Sequence, residues 1–154
     1  MKRRDFNKSL VALTGLGAGV SLGALPLSVF AAWPKDAFDA ESTEAVTQAL
    51  YGTTGAEASD AIKFKAPDIA ENGAVVPISL TADIDNADSV AIMVAGNPSP
   101  LTATFEMMNP GRPDVGTRIK MGKTSQLVAL VRAEGKLYTA TSSEVKVTIG
   151  GCGG

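Results

Sequence analysis

One cysteine, Cys152, lies in the last six residues, Ile149 to Gly154, written IGGCGG, and it is the only cysteine in a chain of 154 residues. A thiol is the one strong soft nucleophile here, and its reactivity depends on forming thiolate, with a reference pKa near 8.5. Hydrolytic or acyl-transfer chemistry at a cysteine ordinarily needs a histidine base. The chain has no histidine, so a self-contained cysteine hydrolase is excluded. A metal site built on one thiolate without imidazole is equally short of ligands. The glycine pairs Gly150–Gly151 and Gly153–Gly154 flank the thiol. They offer neither packing nor conformational restraint, so they present the sulfur rather than bury it. Cys152 then reads as a handle that carries a covalently bound group between other proteins; the alternative is a disordered glycine tail whose cysteine is incidental.

Such an arm needs a rigid support. Val145, Val147 and Ile149 alternate with Glu144, Lys146 and Thr148, the period of a strand with one buried face. That strand is expected to hold the chain until about Ile149. From there the three residues to Cys152, at about 3.3–3.6 Å each, let the thiol stand roughly 10 Å clear of the domain.

Upstream, short apolar-alternating runs recur every 8–12 residues or so, as in an all-β sandwich. AIKFKAPDI places Ile62 and Phe64 against Lys63 and Lys65; AVVPISLTA places Val76, Ile78 and Leu80 on one face. SVAIMVA is apolar throughout and reads as a central strand. LTATFEMM, TRIKM, QLVALVRA, KLYTAT and EVKVTI follow. Turns are expected at Asn72-Gly73, Asp85-Asn86, Asn97-Pro98, Asn109-Pro110-Gly111 and Glu134-Gly135. Pro77, which has no N–H for a ladder, predicts that its strand lies at an edge or begins irregularly. No helix-length segment separates the strands, which disfavours a parallel α/β sheet. The expected fold is an all-β, immunoglobulin-like β-sandwich over residues 61–149. A linker and short helix over 32–60 precede it, the helix capped by Ser42 or Thr43, built on Val46, Ala49 and Leu50, and stopped by Gly52 and Gly55. Residues 150–154 form the flexible arm.

Residues 1–31 read as an export signal with cleavage after Ala31. Arg3, Arg4, Asp5, Phe6, Asn7 and Lys8 resemble the twin-arginine motif, with Asn7 where that pattern favours leucine. Gly15, Gly17, Gly19 and Gly23 keep the following apolar stretch only modestly hydrophobic. The alternative for this stretch is a membrane anchor, since about 20 apolar residues can span a bilayer. Twin-arginine export implies a folded cargo and a periplasmic location, without membrane attachment after cleavage. A lone cysteine in that oxidising compartment has no internal partner. Trp33 lies too close to the cleavage site to be assigned a role.

The formal net charge is -2. Four basic residues against Asp5 give the first 31 residues +3, which leaves 10 basic and 15 acidic residues, net -5, for the remainder. An acidic domain without a basic cluster excludes nucleic acid as a partner, because that affinity comes from lysine and arginine displacing counterions. Arg112 and Arg118 could meet an anionic group or a partner, although exposed arginines are more often solvated surface. Met107, Met108 and Met121 read as packing or interface filler.

The terminal Gly150–Gly154 motif, PDIAENGAVVPISL from Pro67 to Leu80, and TRIKM from Thr117 to Met121 resemble the SoxY family of the thiosulfate-oxidising Sox system. The resemblance implies a carrier without enzyme activity or cofactor of its own, with Cys152 as the attachment point and Gly150, Gly151, Gly153 and Gly154 as spacers. It implies a SoxZ-like β-sandwich subunit as heterodimer partner. It also implies transient partners: a haem c enzyme that couples thiosulfate to the thiol, a manganese-dependent hydrolase that releases sulfate, and a sulfane dehydrogenase. Two other readings remain. Gly153-Gly154 satisfies a ubiquitin-like carrier activated as a thiocarboxylate, which requires ATP. A structural sandwich dimerising through Cys152 requires only an intermolecular disulfide.

Overall fold

The computed structural model describes residues 34–148. Two short helices come first: α1 (Lys35–Asp39) and α2 (Thr43–Tyr51). Ser42 caps α2, its hydroxyl accepting from the Ala45 N–H at 3.1 Å, and Gly52 ends it at φ 70° in the left-handed region that glycine adopts at little cost. The cap and stop agree with the sequence reading. So does the burial of Val46, but the linker expected before this helix carries α1, whose Ala37 is buried.

Among the described residues the strands are β1 (Glu57–Ala58), β2 (Ile62–Lys65), β3 (Ile69–Ala70), β4 (Val76–Ala82) and β5 (Ala87–Val94). Then come β6 (Leu101–Gly111), β7 (Asp114–Ile119), β8 (Leu127–Ala133), β9 (Lys136–Thr141) and β10 (Lys146–Val147). They form a five-stranded sheet ordered β1-β9-β8-β5-β6, a three-stranded sheet ordered β2-β4-β7, and a two-stranded pair of β10 and β3. The two larger sheets face each other. Ile78 and Leu80 of β4 and Ile119 of β7 pack with Val90 and Ile92 of β5 and with Leu127, Ala129 and Val131 of β8. Fully burying one such side chain as large as Leu80 contributes about 1.5–3 kcal/mol.

The other face of the five-stranded sheet supplies a second core, in which Ala91, Met93, Leu130 and Leu137 meet Ala37 and Val46 of the helices. Strand β5 is therefore covered on both faces, which is why its sequence reads apolar without alternation. Tyr51 at the end of α2 accepts a hydrogen bond from the Ser89 hydroxyl at 3.2 Å, while the Arg132 guanidinium lies 5.5 Å from its ring centroid. Arg132 in turn donates to Asp88 at 2.7 Å.

Three strand expectations need correction. Strand β4 is central, not an edge; Pro77 is tolerated because β2 stops pairing at Lys65 opposite Ser79, leaving Pro77 paired only with Arg118 of β7. Asn109-Pro110-Gly111 is not a turn but the end of β6, where Ala87 pairs with Gly111 and Ser89 with Glu106. Residues 107–110 bulge opposite Asp88, which an edge strand allows. The last strand is only two residues long and runs parallel to β3 outside the larger sheets.

Candidate functional site

Cys152 and its glycines Gly150, Gly151, Gly153 and Gly154 lie outside the described residues, as do Trp33, Ile149 and the export segment. What the structure describes is the segment that precedes them, up to Thr148. Ser125 and Val145 bridge antiparallel, exchanging backbone hydrogen bonds at 3.2 and 2.9 Å. Lys146 N–H then donates to the Asp68 carbonyl at 2.9 Å, and Thr148 N–H to the Ala70 carbonyl at 3.1 Å. Val147 turns its N–H the other way, onto the Thr124 hydroxyl at 3.0 Å. Successive amides are thus held from opposite sides, so the backbone is fixed through Thr148 although the strand itself is short.

Side chains along this segment follow the expected alternation. Val145 is buried and Val147 half-buried, with Lys146 and Thr148 exposed. Gly73 makes the close approach possible: a Cβ there would stand 2.3 Å from the Met121 carbonyl oxygen and 2.8 Å from Val147 Cγ1. Met121 N–H donates to the Gly73 carbonyl at 2.7 Å, and Asn97 bonds the Lys120 carbonyl at 2.8 Å and the Gly122 N–H at 2.9 Å. Gly96 N–H donates to the Ser125 hydroxyl at 2.7 Å. The loops around β10 are therefore one hydrogen-bonded platform.

The arginines singled out in the sequence separate. Arg112 sits at the far end of the domain, where it pairs with Asp83 at 2.5 Å and Asp85 at 2.8 Å. Its hydrogen bond and then its charge hold the Asp85 carboxyl below the usual range. Arg118 is exposed on β7 opposite Pro77 and has no ion pair among the described residues. Met121 is core, Met107 packs against the core, and Met108 is 97% exposed. Among the described residues no group of three or more His, Cys, Asp or Glu side chains could hold a metal ion, and no helix is long and apolar enough to cross a membrane.

Sequence reasoning missed the platform itself. Lys120, Lys123 and Lys146 are exposed and without an ion pair among the described residues. They come together only because the segment after β7 flanks β10, and no local pattern announces that.

The family described as sulfur oxidation protein SoxY matches residues 47–152. The chain belongs to the SoxY family. The matched span takes in the last five residues of α2, every described strand and position 152. The solved structure of the sulfur carrier protein SoxY from Chlorobium limicola f thiosulfatophilum is 44% identical, with a TM-score of 0.59; the match covers 66% of this chain and 92% of that one. Comparison with curated proteins returned no match. Membership in the SoxY family makes this a sulfur-oxidation protein with a mostly β fold, and the likeness to a solved carrier supports a carrier role.

Proposed function

We propose that this SoxY-family chain is a periplasmic sulfur carrier, exported by the twin-arginine route, that holds thiosulfate-derived intermediates on Cys152 of a flexible Gly-Gly-Cys-Gly-Gly arm. The family match across residues 47–152, which spans both the clamped strand and the cysteine, carries the reading. An immunoglobulin-like class for the sandwich belongs to the same proposal, as does pairing with a SoxZ-like subunit.

The chemistry is what membership in the SoxY family implies, and one thiol without histidine agrees with it by leaving every catalytic step to partner proteins. Joining thiosulfate to the thiol forms an S–S bond, releases one proton and removes two electrons, which pass to a haem c partner enzyme. Water then attacks the terminal sulfonate sulfur. Its S–S bond breaks, sulfate and two protons leave, and a persulfide anion stays on Cys152 for a sulfane dehydrogenase to oxidise. Hydrolysis is assigned to a manganese-dependent partner. The chain contributes the leaving and receiving sulfur, and the glycines let a narrow channel admit it.

Intact-mass measurement of protein from cells given thiosulfate, before and after reduction, tests this. The expected result is added mass confined to the peptide bearing Cys152 and removed by a thiol. Cys152→Ser should abolish that mass and thiosulfate oxidation without loss of folding. A normal oxidation rate in the serine variant would refute the proposal. A thiocarboxylate carrier would survive alkylation of Cys152, and a structural disulfide would appear as a reducible dimer without sulfur-bearing monomer.

A further inference from the structure

Two of the three large apolar side chains most exposed among the described residues, Ile69 at 56% and Val75 at 51%, lie in the single segment that wraps β10. Ile69 is the register partner of Lys146, and Gly73 between them touches Val147. Lys120, Lys123 and Lys146 border the same platform, each exposed. Charge is distributed unevenly along the domain. Around the arm root Arg118, Lys120, Lys123 and Lys146 stand against Asp68, Glu71 and Glu144. At the opposite end, where Asn86 bonds Glu134 and Arg112 bonds Asp85, Lys63, Arg112 and Lys136 stand against Asp60, Asp83, Asp85, Asp114 and Glu134. The arm thus leaves from the basic end of an acidic domain.

Tether length decides what must touch this end. The backbone is fixed through Thr148, and the four residues from there to Cys152 span at most about 14 Å. An enzyme that takes the thiol about 10 Å or more below its surface leaves only a few ångströms of tether outside, so it must seat its channel mouth against the arm root. We infer that Ile69, Val75, Lys120, Lys123 and Lys146 form a docking surface for the enzyme that loads thiosulfate onto the arm, and that it fits a channel mouth with an apolar lip and carboxylates at its rim. This rests on the carrier reading above. Two exposed aliphatics at the same end of the domain as three solvated lysines suit a short-lived encounter, because permanent subunit interfaces bury larger and more apolar areas. Peripheral charges mainly set the rate of encounter.

The test uses the full mature chain in a periplasmic fraction of its host stripped of the native protein, with thiosulfate-dependent mass gain on Cys152 as readout. The charge-reversal variant is Lys120→Glu/Lys123→Glu/Lys146→Glu, the apolar variant Ile69→Ser/Val75→Ser, and the control Lys136→Glu at the far end. At about 20 mM salt both surface variants should load roughly tenfold or more slowly when carrier is limiting, and approach the wild-type rate at saturating carrier. Raising salt to about 300 mM should slow the wild type toward the charge-reversal variant, since screening then acts over only a few ångströms. Lys136→Glu should load normally. Equal rates of Cys152 labelling by N-ethylmaleimide in all variants show that the fold and arm are intact. Wild-type loading by the charge-reversal variant at low salt overturns the docking surface while leaving the carrier reading in place. Loss of a stable subunit complex on gel filtration, in step with lost loading, overturns it in favour of a permanent interface. A wild-type chain that never gains mass overturns the carrier reading itself, and this inference with it.

Discussion

Gly73 and Val147 approach so closely that a single added methyl at Gly73 would lie 2.8 Å from Val147 Cγ1 and 2.3 Å from the Met121 carbonyl oxygen. The second neighbour is backbone, so relief requires moving a loop rather than a side chain. Gly73→Ala should therefore destabilise the domain by about 1–3 kcal/mol. Urea unfolding gives the loss, and amide exchange at Met121 and Thr148 should quicken first. An alanine variant as stable as the parent would mean that β10 is not seated against Gly73.

The Thr124 hydroxyl is the acceptor for the Val147 N–H at 3.0 Å. Thr124→Val keeps the shape and removes the acceptor, at a cost of about 1 kcal/mol. Exchange of the Val147 amide should accelerate, with little change at Lys146, whose N–H bonds the Asp68 carbonyl instead. Equal acceleration at both would show that the two sides of the clamp are not independent.

At the far end, Arg112 depresses the Asp85 carboxyl first through a hydrogen bond and then through its charge. A folded value below the unfolded one means that Asp85 stabilises the protein above the ordinary carboxylate pKa of about 3.9. That contribution is lost as pH falls through the lower, folded value. Both partners are exposed, so the effect on stability is small. Its signature is the carboxyl carbon titration of Asp85, which should move upward in Arg112→Gln. An unmoved midpoint would remove Arg112 as the cause.

Leu80 is fully buried between the sheets, whereas Met108 on the bulged edge of β6 is 97% exposed. Leu80→Ala should cost about 2–5 kcal/mol. Met108→Ala should change stability by no more than about 0.5 kcal/mol. Comparable losses in the two variants would mean that Met108 is covered by something in the folded protein.

What could be read without coordinates was local. Ser42 and Gly52 delimit α2 because a hydroxyl before, and a left-handed residue after, a helix act within a few residues. Ile62, Val76, Ile78 and Leu80 are buried as their period of two requires. Asn86 and Glu134 occupy tight turns at φ 55° and 51°, in two of the positions where turns were expected. The Asn109-Pro110-Gly111 signal misled because a bulge on an edge strand uses the same residue types as a turn. The packed helices were undervalued because nothing in so short a segment as α1 says that Ala37 meets a sheet formed later in the chain.

The amino-acid sequence alone singled out one thiol, without histidine and set among glycines, as the candidate attachment point, and showed that strands of alternating character precede it. Both follow from residue type and short-range periodicity. Tertiary structure alone decided that β10 pairs with β3 rather than joining a large sheet, and that lysines 120, 123 and 146 share an end with Ile69 and Val75. Those facts depend on hydrogen-bond register between segments some 50 to 80 residues apart, which no window of neighbouring residues encodes.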